Sequence, residues 1–174
     1  VVSAHHIAQL NIALAKAPIE DPLLADFMAQ LDAVNAMAEA SPGFVWRLKS
    51  DSGNATDIRA YDDPRMIVNM SVWESIDALF AFTYKTAHTK VMNRRKEWFE
   101  PLPGPHLVLW WIAAGTVPTV AEAQRRLEYL AKHGPSAEAF TFKARFASPS
   151  ETDVGALPRG RPAEGQPHEV APTR

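Results

Sequence analysis

The sequence predicts an α+β fold, one antiparallel sheet with its main helices on one face, and three observations carry that prediction. Short segments that alternate apolar and polar residues are interrupted by longer segments whose apolar residues recur at helical spacing. Their order is strand, helix, strand, strand, helix, strand, with one further helix and strand appended. The signals that stop or turn a chain, Asp21-Pro22, Ser41-Pro42-Gly43, Gly53-Asn54 and the prolines between 101 and 105, fall at the boundaries of these segments.

The first strand is HIAQLNIALA, residues 6–15, in which Ala8, Leu10, Ile12 and Leu14 point one way and Ile7, Gln9, Asn11 and Ala13 the other. Asp21 is placed to cap a helix that begins at Pro22, and Leu24, Phe27, Leu31, Val34 and Met37 follow at helical spacing up to Ala40. Ser41-Pro42-Gly43 turns the chain into FVWRLKS, 44–50, with Phe44, Trp46 and Leu48 on one face and Arg47 on the other. A polar loop, 51–65, leads into the β-prone run MIVNMSVW, 66–73, so the two strands pair as a hairpin. Residues 75–99 read as one helical region, closed by Pro101, Pro103 and Pro105. HLVLWWIAAG, 106–115, is the fourth strand. Thr119, with Glu122 three residues later, opens a helix that Gly134 ends, and AFTFKARF, 139–146, is the fifth strand.

This order is a ferredoxin-like unit, whose two main helices cover one face of the sheet. The other face offers Gln9, Asn11, Arg47, Asn69, Ser71, Trp73, Lys143 and Arg145, a mixture that a second copy of the chain would cover. The predicted architecture is therefore a homodimer, a dimeric α+β barrel enclosing a partly polar chamber. The barrel domain is assigned to 1–147, and 148–174, with five prolines and no periodicity, to a flexible tail.

Composition narrows the function. A chain of 174 residues, 47% apolar, builds one core. A net charge of −2 with mixed signs draws in neither nucleic acid nor an anionic membrane. There is no cysteine, which excludes disulfides, thiolate metal sites and cysteine nucleophiles. No apolar run approaches the roughly 20 residues of a membrane span, and VVSAHHIAQL is not a leader, so the expected location is the cytoplasm. Glycine-rich phosphate loops, GxSxG and HExxH are absent, and His5-His6 has no further ligand at metal spacing.

Chemistry concentrates in SVWESIDALFAFTYKTAHTKVMNRRKEWF, 71–99. On a continuous helical wheel, Ile76, Leu79, Phe80, Thr83, Ala87 and Val91 form the stripe facing the sheet, while His88 shares a flank with Tyr84, Met92, Arg95 and Phe99. A neutral imidazole there is a proton acceptor or metal ligand, and Arg94 or Arg95 can pair with a carboxylate; the plainer reading is a surface histidine on a solvated face. Asn69 and Trp73 share a face with Ser71, with Asn69 placed to bind a substrate carbonyl. Trp110 and Trp111 point to opposite sides of their strand, so one of them, taken as Trp111, faces the chamber.

The succession SVWES, AHTKVMNRRKEWF and LVLWWIAAGTVPTVAEAQRRLEYLAKHGPSAEAFTF resembles a bacterial family of unknown function in the dimeric α+β barrel superfamily, over residues 5 to 146. That family is similar to spheroidene monooxygenases and, more remotely, to antibiotic-biosynthesis and haem-degrading monooxygenases. The resemblance to the haem-degrading members implies haem, with His88 on the iron, Asn11 beside it and Arg94 or Arg95 on a propionate; the helix tryptophan of those members has no counterpart here. The resemblance to the antibiotic-biosynthesis members implies oxidation of an electron-rich substrate without any cofactor. The expected function is a monooxygenase-like enzyme acting on a hydrophobic small molecule, with His88, Tyr84 and Asn11 catalytic and Arg47, Asn69, Trp73 and Trp111 binding substrate. The alternatives are a non-redox binding, isomerase or dehydratase-type protein on the same barrel, and a structural dimer without ligand.

Overall fold

The computed structural model describes residues 4–149. The segment expected as a tail, 148–174, lies outside the described residues apart from Ser148 and Pro149. The sheet is built around β1 (His5–Ala15). On one side β1 pairs antiparallel with β3 (Met66–Trp73), and β2 (Phe44–Arg47) adds beyond β3. On the other side it pairs antiparallel with the two-residue β4 (Phe99–Glu100) and with β5 (Leu107–Ala113). The order β2-β3-β1 followed by β4 and β5 is the ferredoxin-like arrangement that the element order predicts.

Alternation along β1 divides the core into two. Ala8, Leu10 and Ile12 join Val68, Met70, Val72, Val108 and Trp110 on one face, where α5 (Val120–His133) lays Ala123, Leu127 and Leu130 over them. Ile7, Trp73 and Leu109 belong to the opposite face, under α1 (Ala25–Ala40) and α2 (Ile76–Lys85). Both main helices thus share a face. The face toward α5 is roofed within the chain, by α5 together with Trp46, Leu48, Ile58 and Tyr61. Among the described residues no helix is long and apolar enough to cross a membrane.

The caps behave as their residue types dictate. Asp21 accepts a hydrogen bond from Leu23 N at 2.9 Å and starts a 3-10 turn at Pro22–Leu24 that feeds α1. Thr119 accepts from Glu122 N at 3.1 Å, and Gly134 ends α5 at φ 74°.

The sequence reading leaves the face of Gln9, Asn11, Asn69, Ser71 and Trp73 to a second copy; the structure instead lays α1 and α2 over that face and α5 over the apolar one. Three elements also differ from the sequence reading. First, the β2–β3 register shifts between Phe44 and Trp46, so Val45 bulges out; Phe44 meets Trp73 on the α2 side, whereas Trp46 packs on the α5 side. Phe44 therefore does not share a face with Trp46 and Leu48. Second, the helical region 75–99 is broken into α2, α3 (His88–Asn93) and α4 (Arg95–Trp98). Thr86 causes the first break: its hydroxyl donates to Phe82 O at 2.6 Å and accepts from His88 N at 3.2 Å, and its backbone is extended. Third, 139–146 is not a regular strand. Phe140 exchanges both backbone hydrogen bonds with Leu109, at 2.8 and 2.9 Å, and the chain then turns between Thr141 and Ala144.

Two substitutions test these assignments. Leu127→Ala, beneath α5, should lower stability by about 2–4 kcal/mol in urea unfolding with an unchanged m value. Gly43 sits at φ 81°, where an added Cβ would lie 2.6 Å from the Cβ of Ala78. Gly43→Ala should therefore cost more than about 1 kcal/mol, and a neutral result would refute the tight turn.

Candidate functional site

The site starts from the register of β1 and β3, which sets Gln9 opposite Ser71, Asn11 opposite Asn69 and Ile7 opposite Trp73. Residues two apart share a face, so all the polar ones look toward α1 and α2. Gln9 and Ser71 are buried, and they are hydrogen-bonded as burial demands. Gln9 Nε2 donates to Asn69 Oδ1 at 2.7 Å and to Ser71 Oγ at 2.9 Å, and Trp73 Nε1 donates to the same Oγ at 2.9 Å. This pattern decides what remains. Ser71 Oγ already accepts twice, so its own hydrogen is left to donate; the Asn69 carbonyl is taken, so its amide hydrogens are left to donate. Asn11 makes no side-chain hydrogen bond among the described residues.

Above this row lies a cavity of ≈ 260 Å³. Phe27, Leu31 and Val34 of α1 line one wall, and Leu79 and Phe82 of α2 with Val91 and Met92 of α3 line another. Polar groups enter as the Gln9, Asn11, Asn69 and Ser71 row, as Gln30, Asn35, Arg47, Asn54 and Thr56, and as Thr83, Tyr84, His88, Arg95 and His106. An apolar enclosure with a few placed polar groups is the form of a small-molecule site.

His88 reaches that wall because the helix breaks before it. Its ring stacks on Phe82 at 4.9 Å and 29°, Phe82 stacks on Trp73 at 5.1 Å and 23°, and Phe44 meets Trp73 edge-on at 5.4 Å. The result is one aromatic column running from β2 through β3 and α2 to α3. His88 Nδ1 lies 3.3 Å from Thr83 O, and since a carbonyl only accepts, this long hydrogen bond places the ring proton on Nδ1 and leaves Nε2 bare. Burial pushes the His88 pKa below the ordinary 6.5, and the bond to Thr83 opposes that only in part. The imidazole is neutral, with a free acceptor nitrogen.

The other residues singled out from the sequence separate into two groups. Asn11, Arg47, Asn69, Trp73, Tyr84, His88 and Arg95 line the cavity. Tyr84 does so from the mouth, exposed, with its ring against Phe80 at 4.7 Å and Phe142 at 5.7 Å. Arg47 is already engaged, donating to Glu39 Oε1 at 2.7 Å and to Gly53 O at 2.8 Å. Arg94 and Trp111 are not brought to the cavity. Arg94 pairs with Asp26 at 3.1 Å and Glu97 at 2.8 Å on the outer surface, over the Trp98 ring. Trp111 donates to Phe146 O at 2.9 Å and holds the 139–146 segment in place. Gln9, Ser71 and His106 join the site without having been singled out as site residues. Period-two alternation through Asn11 and Asn69 already marks the first two.

Of the groups that the resemblance assigns to haem, the structure brings His88 to the cavity wall with Nε2 bare, whereas Arg94 is committed to Asp26 and Glu97 instead of a propionate. Among the described residues no three His, Asp or Glu side chains gather as a metal site.

Sheet, helices and cavity together define an α+β protein of ferredoxin-like architecture with a cavity between its sheet and its helices. Residues 6–156 match the family described as Domain of unknown function (DUF3291), and the chain belongs to that family. Comparison with curated proteins gives no match. Among solved structures, the chain is similar to SnoaB from Streptomyces nogalater, a cofactor-independent oxygenase, at 16% identity and a TM-score of 0.41 over 66% of this chain and 97% of that one. It is also similar to PA3566 from Pseudomonas aeruginosa, at 13% identity and a TM-score of 0.43 over 67% and 99%, and to NE2512 from Nitrosomonas europaea, at 16% and 0.41 over 67% and 97%. At these scores the likenesses carry no argument about activity.

The buried histidine has a pH consequence. Above the unfolded value of 6.5, His88 is neutral in both folded and unfolded chains and costs no stability. As pH falls through 6.5 the unfolded chain takes up the proton first, so stability is lost until the lowered folded pKa is passed. His106, lowered by burial and by the charge of Arg95, acts in the same direction. The Tm should therefore decline between about pH 7 and about pH 5, and His88→Gln should flatten that decline. An identical slope in His88→Gln would show that His88 is not desolvated.

Proposed function

We propose that this protein is a monooxygenase-like enzyme that oxidises a hydrophobic small molecule in the cavity between sheet and helices, without a resident cofactor. The observation that carries the reading is the row of donors left by the Gln9 network, facing an apolar cavity whose wall holds a neutral histidine. This arrangement suits a substrate that supplies its own electrons, such as a methylene flanked by an arene and a carbonyl. His88 Nε2 takes a proton from that carbon, and the Asn69 amide and Ser71 hydroxyl hold the oxygen on which the negative charge collects. Dioxygen adds to the carbanion, the proton returns to the peroxide, and loss of the second C–H proton with hydroxide leaves a carbonyl. The balance is CH2 + O2 → C=O + H2O, with one oxygen atom retained and all electrons drawn from the substrate. The apolar walls keep bulk water from quenching the carbanion.

An oxygen electrode and 18O2 labelling test the reading on a series of aryl-activated methylene compounds such as 2-tetralone. Asn69→Ala should lower kcat about 100-fold with little change in KM, the loss typical of one oxyanion donor. His88→Ala should lower kcat by about 100-fold or more. Oxygen uptake by the two variants equal to that of the wild type would overturn it. A non-redox enolising enzyme on the same groups is the second reading, since the base and donors serve proton transfer equally; it predicts His88-dependent deuterium exchange at the methylene with no oxygen consumed.

A further inference from the structure

We infer that the cavity takes a carboxylate, carried by an otherwise apolar molecule and seated between Arg95 and His106. The inference deepens the proposed function by naming the head group of its substrate, and so rests on the cavity being a substrate site.

The charges around the cavity do not balance. No aspartate or glutamate lines it, whereas Arg47, His88, Arg95 and His106 do. Arg47 is neutralised by Glu39 at 2.7 Å. His88 is neutral by burial. The Arg95 side chain forms no ion pair or hydrogen bond among the described residues, and the residue is partly buried. Its neighbour Arg94 makes the contrast: one residue earlier in the chain, it turns outward and takes two carboxylates, Asp26 and Glu97. A partly buried guanidinium on the cavity wall without a carboxylate of its own is the group to which an anion in the cavity would pair.

His106 supplies the second half of the seat. Its carbonyl accepts Ile12 N at 2.9 Å, which fixes it at the entrance to β5, and Leu107 after it lies opposite Asn11. Partial desolvation and the charge of Arg95 both lower the His106 pKa, although the residue stays exposed at the rim, so the ring favours its neutral form and offers an N–H without a second full charge. Asn11, with its amide unpaired, lines the cavity at the strand position facing Leu107. One fixed positive charge, a neutral imidazole and an amide match the single charge and several lone pairs of a carboxylate. A phosphate dianion would keep a charge unmatched, and a neutral head group would leave Arg95 as it is.

Isothermal titration of 2-naphthoate and its uncharged isostere 2-naphthamide tests the seat without turnover. The wild type should bind the acid about 10- to 100-fold more tightly than the amide. Arg95→Gln should abolish that preference while leaving the amide's affinity unchanged, Arg95→Lys should keep part of it, and Arg94→Gln should keep all of it. Thermal melts confirm that each variant is folded. Equal affinity for acid and amide in the wild type, a preference that survives Arg95→Gln, or failure of the wild type to bind 2-naphthoate would overturn the inference. The two proposals fail separately. A protein that prefers the acid yet consumes no oxygen loses the oxygenase reading alone, and one that consumes oxygen with no preference for the acid loses the carboxylate seat alone.

Discussion

The structure depends on how one central strand is allowed to carry amides. β1 is buried on both faces, paired on both edges and surrounded by nearly every other element, yet it places Gln9 within the core. A buried amide left without partners would cost about 1–3 kcal/mol for each unmet group. Gln9 escapes that cost only in a register that sets Ser71 and Asn69 beside it. A slip of one residue would turn Gln9 into the apolar packing under α5 and bring Leu10 to the cavity floor, so hydrophobic pattern and hydrogen bonding enforce the same pairing. The polar floor of the cavity is thus also the lock that sets the sheet.

A second constraint acts on the wall. Had α2 run on through Thr86, 100° per residue would have put His88 on the outward flank with Tyr84, which is exposed. Thr86 diverts its hydroxyl to Phe82 O and His88 N, the chain takes one extended step, and the imidazole swings onto Phe82. Because Phe82 is itself held against Trp73, and Trp73 is tied to Ser71, the position of His88 is coupled through rings to the amide row of the floor. His88 and the amide row are therefore set by one packed column and not by separate loops, the kind of support that a site of fixed geometry requires.

These details explain what could be read from the sequence. Alternation fixed which residues of β1 and β3 look the same way, and it gathered Asn11, Asn69 and Trp73 correctly because period two survives wherever a strand is regular. It failed at Val45, where a bulge puts Phe44 and Trp46 on opposite faces, since a bulge is a property of the pairing and leaves no mark in one strand's pattern. The wheel's continuous helix breaks at Thr86 because side-chain capping overrides helix periodicity, yet the flank it gathered, Tyr84, His88, Met92, Arg95 and Phe99, lines the cavity together. AFTFKARF alternates as a strand should, but after Phe140 the Phe142 ring packs on Phe80 and Tyr84 and the Phe146 carbonyl accepts from the Trp111 indole instead of continuing the ladder. Arg94 and Arg95 are indistinguishable in sequence; only the acids that fold back beside one of them tell them apart.

The two faces of the sheet show why a cavity exists on one side only. Toward α5, small and branched side chains from three strands meet leucines of a regular helix, and Trp110 closes the remaining space while its Nε1 donates to Glu122 Oε1 at 3.2 Å. Toward α1 the floor is amide and hydroxyl, which apolar helix residues cannot contact without stranding them, so α1 and the broken α2–α4 stand off and leave the volume between. A polar row on the floor and a fragmented helix above are two sides of one solution. Filling the gap with larger apolar side chains would strip the Asn69 and Ser71 donors of anything to bind, whereas a ligand bearing oxygen satisfies both the volume and the donors.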